Sequence, residues 1–177
     1  MRINLTQTKV DLRGGLIQPT DLIESIKLKI GAIDNSQIEY TGNPSLGNTW
    51  KSNSLETRLE LNHQPIGPLK GQWGLQTVNG VTQAIGAEAI IPRTSILNIG
   101  LFGVENWVTA PLTYDFGFRI EPKNVTPDSA SGFAARQFLT ISGLLSELWT
   151  LEDAHHLSIA LTESQRGAQA QERSTDA

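Results

Sequence analysis

Three histidines, one glutamate inside an apolar stretch and one serine are the residues here whose types could do site chemistry. Imidazole and carboxylate together ligate metals, and a serine beside a histidine can be activated as a nucleophile. His63, His155 and His156 all stand beside turn signals. Adjacent side chains on a strand point to opposite faces, so His155 and His156 make a poor bidentate metal site. Surface or interfacial histidines are the better reading. Glu88 is the one carboxylate of the apolar run Ala84–Pro92, and alone it cannot hold a metal, which needs several convergent ligands. Ser158 lies near His156 with no oriented base and no motif around it. Gly-x-Ser-x-Gly, P-loop and dinucleotide glycine patterns are absent from the sequence. The residues support no enzyme and call for no cofactor.

The elements that would position these residues are marked by four short turn signals. They are Gln18-Pro19-Thr20-Asp21, Gln64-Pro65-Ile66-Gly67-Pro68, Thr109-Ala110-Pro111 and Leu151-Glu152-Asp153-Ala154. Their starts lie about 42–46 residues apart, the length of two strands of about ten to fourteen residues plus a longer loop. Short turns on one rim and long loops on the other describe an up-and-down β-barrel.

Residues 112–121 alternate most cleanly. Leu112, Tyr114, Phe116, Phe118 and Ile120 point one way, and Thr113, Asp115, Gly117, Arg119 and Glu121 the other. Residues 25–32, 55–62 and 157–162 repeat the pattern. The segments 3–16, 70–79, 95–107 and 138–149 are less regular. The last also fits a helical stripe through Phe138, Ile141, Leu145 and Trp149, but the turn spacing requires a strand. Eight strands result. A soluble sheet with one wet face would alternate in the same way. Strand length favours the membrane, where a tilted strand needs about nine to eleven residues. Trp73, Trp107 and Trp149 each fall near a short turn, as in an aromatic girdle, although tryptophans can also cap a soluble core.

The connections at the other rim are read as 34–49, 79–94 and 122–137. The first and third are polar. The middle one carries the apolar run around Glu88, which suits either a binding loop or a loop tucked into a barrel mouth.

Composition is compatible with this. Among 177 residues, 38% are apolar and 18% charged, which argues against general disorder. No stretch approaches the ~20 apolar residues of a membrane helix, a test that barrel strands escape. A net charge of −4 without a basic cluster makes nucleic acid an unexpected partner. The absence of cysteine excludes disulfides and thiolate metal sites. The first residues, Met1–Thr8, lack the apolar core of a signal peptide.

Several segments resemble TonB-dependent outer-membrane receptors, with the zinc-uptake type as the nearest branch. They are His63–Gln76 (HQPIGPLKGQWGLQ), Ala84–Ala89 (AIGAEA), Pro111–Arg119 (PLTYDFGFR) and Asp153–Ser158 (DAHHLS). Glu163–Glu172 (ESQRGAQAQE) matches a further motif in part: Gly167 and Ala168 replace its small residue and proline, and Arg173–Ala177 depart from it. The resemblance covers most of the chain, and the ordered series is more specific than any one motif.

It implies an internal segment of an about 22-stranded, plugged barrel. Residues 1–164 would be the barrel segment, and residues 165–177 a divergent, disordered tail. By the same resemblance the expected location is the outer membrane, and the expected role is part of energy-coupled uptake of zinc or a metal chelate. The partners would be outer-membrane lipid, the remaining barrel and plug, a metal ion or chelate, and the TonB complex through regions outside this chain. Met1 looks like an internal start, and the segment is not expected to transport alone. Glu88 is the residue carried over as a metal contact. Two alternatives stay open. A complete eight-stranded barrel with a structural or adhesive role would pair residues 5–15 with residues 157–164. A soluble β-sandwich binding module would pack two sheets through their apolar faces.

Overall fold

The computed structural model describes residues 2–40, 46–86, 91–152 and 155–166. They form one sheet of eight antiparallel strands: β1 (Arg2–Thr20), β2 (Ile23–Tyr40), β3 (Leu46–His63), β4 (Leu69–Ile85), β5 (Thr94–Thr109), β6 (Leu112–Pro127), β7 (Arg136–Glu152) and β8 (His155–Glu163). Each strand pairs with its sequence neighbour, in the order β1 to β8. A single 3-10 turn, Ser129–Ser131, breaks the pattern. The ambiguous segment 138–149 lies wholly within β7: alternation against its neighbours prevails over the helical stripe.

The register carries each strand's alternation across the whole sheet. Leu16, Ile26, Leu61, Trp73, Gly103, Phe118 and Gly143 follow one another from β1 to β7. The next row on that face is Gly14, Leu28, Leu59, Leu75, Leu101, Ile120 and Ile141. On the opposite face Arg13, Lys29, Arg58 and Gln76 are successive partners. One residue of slip anywhere would exchange the faces, so the pattern itself fixes the register.

No second sheet covers the apolar face among the described residues. Accessible surface is 11959 Å², against about 8,500 Å² for a compact monomer of this mass. The buried apolar residues among those described are Ala84, Ile91, Phe102 and Val125. The two-sheet packing of a sandwich is therefore not what these residues build. Nor do β1 and β8 pair among the described residues, as a closed eight-stranded barrel would need.

The strands are longer than the sequence suggests, at 16–19 residues for β1 to β7. Much of what reads as loop is paired strand: residues 34–40, 46–49, 79–85 and 122–127 all lie in the ladder. The reason is physical. Thr8, Asp34, Asn53 and Asn79 stand on the same face as Leu12, Ile30 and Leu55, so there both faces are polar and hydropathy loses its period. Backbone pairing continues regardless. The strands leave only 41–45, 86–93 and 128–135 as connections at that rim.

The other rim matches the turn signals. β3 and β4 are joined through 64–68, where Ile66 and Leu69 exchange backbone bonds of 2.9 and 3.2 Å. β5 and β6 meet at Ala110–Pro111, a cis peptide. Between β1 and β2 the turn begins two residues later than Pro19, which lies in β1. Gln18, at φ 48°, takes up a register shift between Ile17 and Thr20, and the chain reverses at 21–22. Of the fourth signal, residues 153–154 lie outside the described residues.

Candidate functional site

Glu88 lies outside the described residues. At the end of that connection Ile91 is buried, as is Thr94, the first residue of β5; the Ile91 carbonyl accepts from the Ala84 N–H at 2.9 Å, and the Thr94 hydroxyl donates to the Pro92 carbonyl at 2.8 Å. Ala84, Thr94 and Val125 all belong to the polar face's positions, so the end of this apolar connection tucks inward at the rim. His155 and His156 are consecutive on β8 and face opposite ways; Ser158 shares a face with His156. Among the described residues, no group of three histidine or carboxylate side chains converges as a metal site.

What the fold does assemble on the polar face is a ladder of charges that no motif announces. The Arg58 guanidinium donates from Nε to Glu60 Oε1 at 2.6 Å and from Nη1 to Gln76 Oε1 at 3.2 Å. Lys29 Nζ reaches the second Glu60 oxygen at 3.4 Å. Gln76 Oε1 also accepts from Arg119 Nη1 at 3.3 Å, while its amide nitrogen donates to Glu56 at 2.5 Å. Arg119 closes the series on Glu121, with Nε at 2.8 Å and Nη2 also in contact. Charges from β2, β3 and β6 thus meet through one glutamine of β4.

Phe102 of β5 is the floor of this ladder. The Arg58 guanidinium carbon stands 4.2 Å above its ring centroid, and that of Arg119 stands 5.8 Å away. A planar cation over an aromatic face is attracted to the ring's negative quadrupole. Glycines make the space: a Cβ at Gly74 would meet Phe102 Cζ at 2.1 Å, and one at Gly100 would meet Arg119 Nη2 at 2.5 Å. Three cations and three carboxylates compensate one another here. Each charged side chain of the ladder is bonded to another member of it.

A second cluster lies on the apolar face near the short-turn rim. His63 Nδ1 approaches the Gln64 carbonyl at 2.7 Å and Nε2 approaches Glu105 Oε2 at 3.0 Å. Both partners only accept, so each ring nitrogen makes its bond only while it carries a proton. Trp73 Nε1 donates to the other Glu105 oxygen at 2.6 Å. Gly71 admits the carboxylate, since a Cβ there would lie 2.2 Å from it. His63 is thus tied to β5 across β4. Trp73, Trp107, Tyr114 and Trp149 occupy this face close to the short turns, with Trp73 edge-on to Phe118 at 5.1 Å between centroids.

No protein-family model matches the chain. Among solved structures it is similar to one described as "Copper transporter OprC", with a TM-score of 0.76 and 16% sequence identity over 93% of this chain. The chain spans 30% of that protein's length. At that identity the likeness bears on fold: an all-β, up-and-down antiparallel sheet of the transmembrane-barrel kind.

Proposed function

We propose that this chain is part of the wall of an outer-membrane receptor barrel of the TonB-dependent type, serving energy-coupled uptake of a metal ion or metal chelate. The observation that carries the reading is the two-faced sheet. An apolar face with an aromatic rim fits hydrocarbon and headgroups, while the opposite face carries a compensated ladder of charges suited to an aqueous interior. The description of the similar structure as a copper transporter supports a metal as cargo. Zinc, which the motifs imply, is the first ion to test and copper the second. Glu88 is the proposed metal contact, with its further ligands supplied from outside the described residues.

Flanking coding sequence tests the receptor reading. Additional barrel strands and a plug domain encoded in frame are the expected finding; unrelated flanking sequence would contradict it. In a receptor carrying this segment, Glu88→Gln should lower zinc accumulation in metal-starved cells, measured by elemental analysis. Unchanged accumulation of both zinc and copper would remove Glu88 from the cargo path.

A further inference from the structure

We propose that the apolar face of β5–β8, near the short-turn rim, holds the headgroup of one ethanolamine phospholipid, with the primary ammonium on Glu147 and the phosphate on neighbouring indole and phenol donors. This rests on the proposed reading of that face as the side that meets lipid. Glu147 stands on the apolar face of β7, between Leu145 and Trp149, directly across from Tyr114 on β6 and Ile159 on β8. It is half-buried, and among the described residues its carboxylate has no hydrogen-bond or ion-pair partner. An ionised carboxylate turned toward hydrocarbon is unfavourable unless a cation meets it.

Glu105 shows what Glu147 lacks. It lies on the same face of β5, directly across from Phe116, and its two oxygens are occupied by His63 and Trp73. No lysine or arginine stands on this face of β5 to β8 among the described residues. Whatever cation meets Glu147 comes from outside these strands.

The surroundings select that cation. Tyr114 and Phe116 stack with ring centroids 6.4 Å apart, and the exposed rings of Trp107 and Trp149 flank them. Aromatic faces attract ammonium groups, and amphipathic rings settle at headgroup depth. The indole N–H groups of Trp107 and Trp149 and the Tyr114 hydroxyl have no partners among the described residues, so they are free to donate to a phosphate. One carboxylate beside neutral donors fits a zwitterion. It repels a headgroup whose only charge is negative, whereas a primary ammonium donates charge-assisted hydrogen bonds to it.

Native mass spectrometry of the full chain folded in detergent micelles tests the site, with titration by phosphatidylethanolamine, phosphatidylglycerol and N-acetylated phosphatidylethanolamine. One phosphatidylethanolamine should bind per chain at least about fivefold more tightly than either other lipid, both of which lack the ammonium. Glu147→Gln should remove that preference. Glu163→Gln, on the same face but hydrogen-bonded to Gln165, should keep it. Glycerophosphoethanolamine, the headgroup without acyl chains, should bind at least about tenfold more weakly than the lipid; equal affinity overturns the lipid assignment. If Glu147→Gln does not fold, the N-acetylated lipid decides alone, because it removes the charge from the other partner. Equal affinity for all three lipids, or a preference that survives Glu147→Gln, overturns the site and leaves the lipid-facing reading standing. A chain that retains no lipid of any kind sinks both.

Discussion

Gly74 and Gly71 show how little room the sheet leaves at single positions. The Phe102 ring crosses the first and the Glu105 carboxylate the second, each closer than any Cβ would allow. Gly74→Val should therefore cost about 1–3 kcal/mol through displacement of Phe102 from beneath Arg58, read as a lowered urea midpoint of micelle-folded protein. Gly14→Ala, where nothing lies within 4 Å of the added methyl, is the matched control and should change little. Loss of midpoint in both alike would mean that close approach is not the cause. His63→Ala should cost about 1–3 kcal/mol, because the Glu105 carboxylate loses one of its partners; an unchanged midpoint would show that the His63–Glu105 pair does not tie the strands together. The sequence marks His63 as interfacial from its place beside a turn, and it lies at that rim. Its partner Glu105 could not be read there. Forty-two positions separate them, and the pairing exists only once β3, β4 and β5 are in register.

Strands and short turns were legible for a simple reason: the period-two pattern and the Pro- and Gly-marked reversals are local. Residues 112–121 and the turn at 64–68 are the clearest cases. The upper strand halves were not, because a strand wet on both faces has no hydropathy period and reads as loop. Single-cysteine variants test the difference cleanly, since the chain has no cysteine of its own. In vesicles, a membrane-impermeant maleimide should label both Asn53→Cys and Ser54→Cys, neighbours on opposite faces of β3. Leu59→Cys, six residues further along the strand on the Asn53 face, should stay unlabelled. Protection of Asn53→Cys to the same degree as Leu59→Cys would put the upper half of β3 inside hydrocarbon and refute the division.

The whole sheet has two consequences of its own. Its short turns step in one direction, each about one to three residues further along the pairing register than the last, which is the stagger of a tilted barrel wall. And β1 and β8 both present unpaired edges among the described residues, every described residue of each being exposed. Unpaired backbone is costly in lipid and sticky in water. The isolated chain should therefore self-associate with rising concentration when detergent is diluted, as followed by light scattering. A monomer that melts cooperatively in plain buffer would contradict the wall.

Nitroxide labels placed singly along residues 112–121 of β6, in vesicles, test most directly whether the apolar face meets lipid. Oxygen collision rates should peak at 112, 114, 116, 118 and 120, and rates with a polar nickel chelate at the positions between. Uniform rates along the strand, or the opposite phase, would contradict a wall with hydrocarbon on one side and water on the other.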